Sequence, residues 1–436
     1  MKSKELLSVW TYRLLWWFVL PFVLIRNLLR SRRLIGYRQQ WWQRVGWAPK
    51  FPVFSGASQR PVWIHAVSVG ETAVAIPLIR ALKQKDPDLP ILVTTMTPTG
   101  AARIYSELNS LGHGVEHCYA PYDLGLAVEV FLKRVSPRAL IMIETEIWPN
   151  WVLACQRRRM PVALVNGRLS ESSALAYAKF GAFSHLVVSR IDAILMQWPV
   201  DASRMQRLGA IPAQLTVTGS IKQDIEFDQS AADLGADYRQ RFGVDRPVWV
   251  AASTHEGEEA LLLEAHRMLL ATVPNALLLL VPRHPDRFEV VAELLSQQEW
   301  CWQKHSAAEP IKAETQVVLG DVLGEMLALF AASDVAVMAG SFAPIGGHNM
   351  LEAMVMGVPV LIGPQVFNFE TLTEQLVSEG ALLQVKDATG LVSPLVEWLE
   401  EPSKAQAYIE AGQSFLERNR GALVRAVAAL EKQGII

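Results

Sequence analysis

Cysteine is scarce in this chain. Its 436 residues include three, Cys118, Cys155 and Cys301, far apart and in no C-x-x-C arrangement. That excludes a disulfide framework and a cysteine-based zinc site, and it suits a reducing compartment. An excess of charge of one sign is also lacking. Lys and Arg total 41 against 43 Asp and Glu, a net charge of -2, so the balance gives no reason to expect nucleic acid as a partner. The one D-x-D, Asp86 to Asp88, follows a helical run rather than a strand and reads as a turn, so no metal site is expected. Low-complexity segments and short repeats are missing too. What remains is a chain too long for one ordinary domain, with enough apolar residues (51%) to give each of two domains its own core.

The first 47 residues stand apart. Six of the 14 tryptophans lie there: Trp10, Trp16, Trp17, Trp41, Trp42 and Trp47. The uncharged run Leu14 to Ile25 is shorter than the roughly 20 residues of a straight membrane span. Extending it from Leu6 to Leu29 takes in Arg13 and Arg26, which would have to snorkel, and Pro21 sits in its middle. No small-residue cleavage pattern follows, so it is not a removable signal peptide. A marginal single span and a helix lying in the interface both fit, and a buried N-terminal helix is the soluble alternative. Trp and Arg at this density favour the headgroup zone, and Arg30, Arg32, Arg33, Arg38 and Arg44 place the body of the protein on the cytoplasmic side.

From Pro61 onward, short apolar runs alternate with helical runs. "VWIHAVSV", "PILVTTM", "ALIMIE" and "PVALVNG" belong to a first half; "PVWVAAS", "ALLLLVP", "TQVVLG", "DVAVMAG" and "VPVLIGP" belong to a second. Unalternated apolar strands separated by helices predict parallel sheets covered on both faces. The polar stretch "IKQDIEFDQSAADLGAD" between the halves predicts a hinge. Two doubly wound α/β domains on one chain imply a cleft, with ligands beyond the carboxyl ends of the strands. Functional residues should therefore follow strands directly.

Several motifs pass that positional test. In "AVSVGETA", Ser68 and Glu71 fit the S-x-x-E capping box after a strand, with Gly70 between them. Glu71 fits equally well as a base, since a carboxylate near a helix N-terminus is expected to stay ionised and ready to accept a proton. "TTMTPTG" brings Thr97 and Thr99 to a strand end, and "NGRLSESS" brings Asn166 and Arg168. "IETEIWPN" puts Glu144 and Glu146 after a strand, where both should not be buried and ionised without partners. Lys222 in "VTGSIKQD" can neutralise a leaving phosphate; a solvated hinge lysine is the plain alternative.

In the second half, Ser253, Thr254 and His255 open "STHEGEE", and the first two are expected to cap the helix that follows or to bind phosphate. Arg283, directly after a strand and Pro282, suits a fork aimed at phosphate, with His284 and Arg287 nearby. In "GSFAPIGGHNMLEAMVMG", Gly346 and Gly347 let backbone approach a ligand. Asn349 caps a helix beginning near Met350, whose free N–H groups suit an anion, and Glu352 in its first turn suits a ribose. Asn349 with Glu352 also fits a capping box, which leaves the double glycine and the histidine unexplained.

Taken together, "HAVSVGET", "TTMTPTG", "ETEIWPN", "NGRLSESS", "VTGSIKQD", "STHEGEE", "VPRHPDRF" and "IGGHNMLEAMVMGVPVLIGPQVFNFE" resemble the 3-deoxy-D-manno-octulosonic acid (Kdo) transferases of lipopolysaccharide synthesis. The stretches run in order from about residue 34 to about residue 370. The resemblance implies a GT-B glycosyltransferase with an N-terminal membrane anchor at the cytoplasmic face of the inner membrane. It implies transfer of Kdo from CMP-Kdo to a lipid A precursor (lipid IVA) with inversion, without a metal or other cofactor. By resemblance Glu71 is the general base, while Glu144 and Lys222 stabilise the transition state; Glu146 shares the motif of Glu144, so the two are not separated. Pro282 and Arg283, the segment Leu323, Gly324 and Glu325, and Asn349, Met350, Leu351 and Glu352 are the implied donor contacts. Ser220 and Gln223 depart from the family, which more often has Asn and an aromatic residue there.

The implied domains are an anchor at 1–33, an acceptor domain at 34–222, a hinge at 223–232 and a donor domain at 233–410. A C-terminal helix at 411–436 is expected to pack back on the first domain. Two rivals remain at this level: another GT-B nucleotide-sugar enzyme using a UDP-sugar, and a membrane-anchored carbohydrate or lipid binder without turnover. The number of Kdo units added, the oligomeric state and any association with a Kdo kinase are not legible in the sequence.

Overall fold

The computed structural model describes residues 3–31, 36, 38–54, 60–225 and 227–436; Arg32 and Arg33 of the basic flank lie outside the described residues. The chain divides into two compact units, Met1–Asp224 with Gly421–Ile436, and Ile225–Arg420.

The first unit is built on seven parallel strands, β1 (Val62–His65), β2 (Ile91–Thr95), β3 (Val115–Tyr119), β4 (Ala139–Ile143), β5 (Val162–Gly167), β6 (Ala193–Met196) and β7 (Leu215–Val217), in the order β3-β2-β1-β4-β5-β6-β7. Strands β1, β2, β4, β5 and β6 are buried along their whole length, which is why their sequences run apolar without alternation. Helices on both faces make two cores. One gathers Trp63, Phe131 and Trp151; the other gathers Ile64, Ile79 and Ile141. The strand order reverses between β1 and β4, and a crevice at the carboxyl ends of such a pair is the usual ligand site.

The second unit repeats the plan with β8 (Val248–Thr254), β9 (Leu277–Pro282), β10 (Trp302–Lys304), β11 (Val317–Leu319), β12 (Val335–Met338), β13 (Val360–Ile362) and β14 (Leu383–Gln384). Their order is β10-β11-β9-β8-β12-β13-β14, again parallel, with the reversal between β8 and β12.

The chain returns to the first unit after Arg420. Asp224 receives it, accepting the N–H of Gly421 at 2.7 Å and of Leu423 at 2.7 Å. The helix Ala422–Lys432 then adds Ala422, Ala426, Val427 and Leu430 to the core behind β1. The preceding helix, Gln406–Asn419, stays in the second unit, so the return begins later than residue 411.

One helix, Ser3–Arg30, is long and apolar enough to cross a membrane, by length and composition, over Leu7–Arg26. Most of its apolar side chains are exposed, among them Trp10, Leu14, Trp17, Phe18 and Phe22. A narrow stripe is docked on the first unit. Tyr12 donates to Asp123 at 2.7 Å, Trp16 donates to the Tyr12 hydroxyl at 2.8 Å, and Val9 packs with Leu153 and Leu186. Arg13 does not snorkel: its Nε donates to Asn150 Oδ1 at 3.1 Å, because the helix presents it to the body of the protein. Asp123 is fully buried and also accepts the backbone N–H groups of Asn150 and Trp151, each at 3.1 Å, so one carboxylate joins the helix to the core.

Candidate active site

At the reversal point of the first sheet, the segment after β1 turns into the helix Val69–Lys85, and Glu71 sits in its first turn, 8% exposed. The expected capping box does not form. The Ser68 hydroxyl makes no cap bond; it donates to Glu71 Oε1 at 3.0 Å, while Glu71 Oε2 accepts the N–H of Val67 at 2.6 Å. Ser68 and the Val67 N–H are thus both spent on holding one carboxylate. Nor is that carboxylate firmly ionised. Burial raises its pKa to about 7, the Val67 N–H pulls it back in part, and the charges of Glu146 and Glu144 raise it further. Desolvation therefore outweighs the two hydrogen bonds.

The charges of Glu144 and Glu146 come from the segment after the neighbouring strand β4. Glu144 holds a left-handed backbone, φ 59°, and forms an ion pair with Lys222 Nζ at 2.5 Å. Glu146 has burial as the main cause of a raised pKa, with Glu144 adding to it. The two acids thus part company: Glu144 pairs with Lys222, while burial raises the pKa of Glu146. Lys222 Nζ lies close enough to Gly70 that a Cβ there would approach it to 3.9 Å, so lysine, both motif acids and Glu71 share one end of the sheet.

Asn166 explains how the lysine is placed. It is fully buried with φ 58°, and its Oδ1 accepts the N–H of Ile221, the residue before Lys222, at 2.9 Å. Thr97 is a helix cap, accepting the Gly100 N–H at 3.1 Å and donating to the Val67 carbonyl at 3.2 Å; exposed Thr99 leans on it at 3.4 Å. Gly100 allows this closeness, since a Cβ there would meet Ser68 backbone at 3.3 Å. Arg168 is exposed at the end of β5, and its carbonyl accepts the Thr145 hydroxyl.

The second unit places its motifs likewise. Thr254 and Ser253 do not cap: the helix Glu258–Leu270 begins at Gly257 without a side-chain cap, Thr254 is buried and donates to Glu259 at 3.2 Å, and Ser253 holds a left-handed φ of 60°. Glu259 is gripped at both oxygens by Arg287, each at 3.1 Å, which withdraws that arginine from any ligand. Arg283 is exposed just past Pro282 at the end of β9, its N–H donating to the Thr254 carbonyl at 3.0 Å.

After β12, both loop glycines have positive φ, 101° at Gly346 and 79° at Gly347. Gly346 is explained by packing rather than by a ligand, since a Cβ there would press on Phe367 and Asn368; at Gly347 a Cβ would keep ordinary contact distances of 3.7 Å. Asn349 accepts the Leu351 N–H at 3.3 Å and donates to Glu352 at 3.2 Å. The helix it opens, Leu351–Val355, has five residues, too short for a strong terminal field, and Met350 and Leu351 point into the core, leaving only backbone for a ligand. Of the remaining residues that the resemblance implies as donor contacts, Leu323 is exposed, Gly324 has φ 84°, and Glu325 accepts the Tyr238 hydroxyl at 2.6 Å.

Residues 39–225 match the family described as 3-deoxy-D-manno-octulosonic-acid transferase (kdotransferase), and residues 248–415 match glycosyl transferases group 1. A 3-deoxy-D-manno-octulosonic acid transferase of Haemophilus influenzae is 38% identical over 94% of this chain and 95% of its own. The chain belongs to the Kdo transferase family. A second transferase of that name, from Bordetella pertussis, is 38% identical over 85% of this chain and 87% of its own. A UDP-GlcNAc 2-epimerase from Neisseria meningitidis shares the fold alone, at 14% identity and a TM-score of 0.53, over 85% of this chain and all of that one. The architecture of this transferase is thus GT-B, with one apolar helix candidate among the described residues, near its N-terminus.

One residue of the transferase escaped the sequence reading. Glu258, fully buried, accepts four backbone N–H groups: His255 at 3.0 Å, Gly340 at 2.7 Å, Phe342 at 2.9 Å and Ala343 at 3.3 Å. It ties the loop after β8 to the loop after β12, the two strands flanking the reversal. Its only trace in the sequence is its place in "STHEGEE", where nothing sets it apart from Glu256 and Glu259.

Proposed function

We propose that this transferase moves Kdo from CMP-Kdo to a hydroxyl of a lipid A precursor, lipid IVA, with inversion and release of CMP. The observation that carries the reading is Glu71: a carboxylate at the reversal point of the first sheet, oriented by two donors and poised near neutrality by burial. A base with that pKa is ionised in useful amount at pH 7 and still basic enough to take a proton from a sugar hydroxyl. Attack from the face opposite the departing CMP gives inversion.

Lys222, paired with Glu144, supplies the cation that answers charge developing in the transition state, and Glu146 tunes Glu71 through its charge. Ser68, Gly70, Asn166 and Thr97 keep these groups in place. In the second unit Pro282, Arg283, the backbone from Leu323 to Glu325, Gly347 and the segment Asn349 to Glu352 hold the CMP moiety. No bound metal is needed in this scheme. The segment 1–33 anchors the enzyme at the cytoplasmic face of the inner membrane, where a lipid acceptor is within reach, and 223–232 serves as the hinge.

The test is direct. Purified enzyme with CMP-Kdo and a tetra-acylated lipid A precursor should give lipid products heavier by Kdo increments in a mass spectrum. Folded Glu71→Gln should not. Turnover with a UDP-sugar in place of CMP-Kdo would overturn the donor assignment, and full activity of Glu71→Gln would return Glu71 to a structural role.

A further inference from the structure

Two histidines of the second unit face each other across the loops that Glu258 ties together. His255 Nε2 and His348 Nε2 are 2.8 Å apart, with ring planes 7° apart. Two imidazole nitrogens at that distance hold one proton between them: one donates and the other offers its lone pair. His348 lies against Gly340, where any Cβ would meet its ring at 2.7 Å, and His284 meets the edge of His255 with ring centroids 5.5 Å apart.

The carboxylates around the pair all have hydrogen-bond partners. Glu258 and Glu259 face it from the helix after β8, but the first is saturated by four N–H groups and the second by Arg287 and Thr254. Glu352 is held by Asn349. Arg283 and His284 face the pair from the loop after β9, and among the described residues no ion pair engages Arg283. The nearby carboxylates are thus occupied, while one permanent cation and three imidazoles remain to face an anion. Burial, with the neighbouring His255 and the Arg283 charge, holds His348 down to about 4, and burial lowers His255 as well, so the pair is neutral at pH 7 while the site is empty.

We propose that the His255–His348 pair is a proton-loading clamp for the nucleotide phosphate. Binding the phosphate draws one proton from solvent onto the accepting Nε2. Two N–H groups then point at each other, the contact opens, and the freed N–H donates to a phosphate oxygen. The proton returns to solvent when the nucleotide leaves. This rests on the reading that the second unit binds CMP, and it gives the pair a role beyond lining the site: a cation present only while an anion is bound.

Calorimetry of the full-length enzyme with CMP, at pH 6.5 in two buffers of different ionisation enthalpy, tests it. Wild type should take up a proton beyond CMP's own titration, and its CMP affinity should fall roughly tenfold from pH 6.5 to pH 8. His348→Gln and His255→Gln, each able to hydrogen-bond but not to load a proton, should lack that uptake and show a flatter pH dependence. CMP binding in wild type with no uptake beyond the titration of CMP itself overturns the clamp while leaving the donor reading intact. Absence of CMP binding in wild type overturns both.

Discussion

Replacing Glu71 by Gln should make the enzyme inactive and, at alkaline pH, more stable. The carboxyl stands at about 7 in the fold against an ordinary value of 4.5. That gap corresponds to about 3 kcal/mol. Below pH 4.5 the group is protonated in both folded and unfolded chains and costs nothing. As pH rises toward 7 the unfolded chain ionises while the folded one resists, so stability falls by that amount and stays lower above pH 7. Gln cannot ionise, so the variant escapes the loss. Its amide can keep both contacts, the oxygen accepting the Val67 N–H and the NH2 group donating to the Ser68 hydroxyl oxygen, as the protonated carboxyl does at low pH. The variant should therefore melt level with wild type at pH 4 and above it at pH 8. A swing of about 3 kcal/mol corresponds to roughly 6–12 °C in the difference of melting temperatures for a unit of this size. Calorimetric scans of both proteins across pH 4 to 8 measure it, beside activity, where kcat should fall by about two to four orders of magnitude. The wild-type rate should also fall tenfold per pH unit below about 7. A melting difference independent of pH would show that Glu71 carries an ordinary pKa, and the base assignment would lose its physical basis.

Glu146→Gln removes a charge that raises the pKa of Glu71, so the acidic limb of the rate profile should move to lower pH; burial is the larger cause, so the displacement should stay below about one pH unit. Asp123→Ala strips the acceptor from Tyr12, Asn150 and Trp151 and should cost about 2–4 kcal/mol, read as a lower melting temperature and faster hydrogen exchange in the helix Ser3–Arg30. Gly346→Ala should destabilise by more than about 2 kcal/mol, because it meets both a positive φ and the Phe367–Asn368 wall. Gly257→Ala, with positive φ but open space, should cost only about 1 kcal/mol; equal melting losses would contradict the packing account of Gly346.

The sequence carried the fold far because parallel buried strands leave a continuous apolar trace, as in "ALIMI" and "ALLLLVP", and because strand ends mark where chemistry can sit. It also brought Glu71, Glu144, Lys222 and Arg283 to strand ends by position alone. What it could not show was the direction of hydrogen bonds. S-x-x-E is the same string whether serine caps the helix or props up the acid, and only the Ser68 hydroxyl's actual partner separates them. Thr254 misled for the same reason, since its hydroxyl turned inward to Glu259. Glu258 was hidden because its four partners lie on two loops more than eighty residues apart, and spacing carries no trace of that meeting.

The late return of the chain has a consequence for its birth on the ribosome. The core behind β1 is completed by Ala422 to Leu430, which are made only after the roughly 200 residues of the second unit. At about 5–20 residues per second, that delay is roughly 10–40 s. Through that interval the first unit has its sheet and most of its helices but an uncovered apolar stripe, while the second unit can finish ahead of it. The usual order of maturation is thereby inverted: the half synthesised first closes last, and a messenger truncated near its end would yield a sound second unit attached to an unfinished first one.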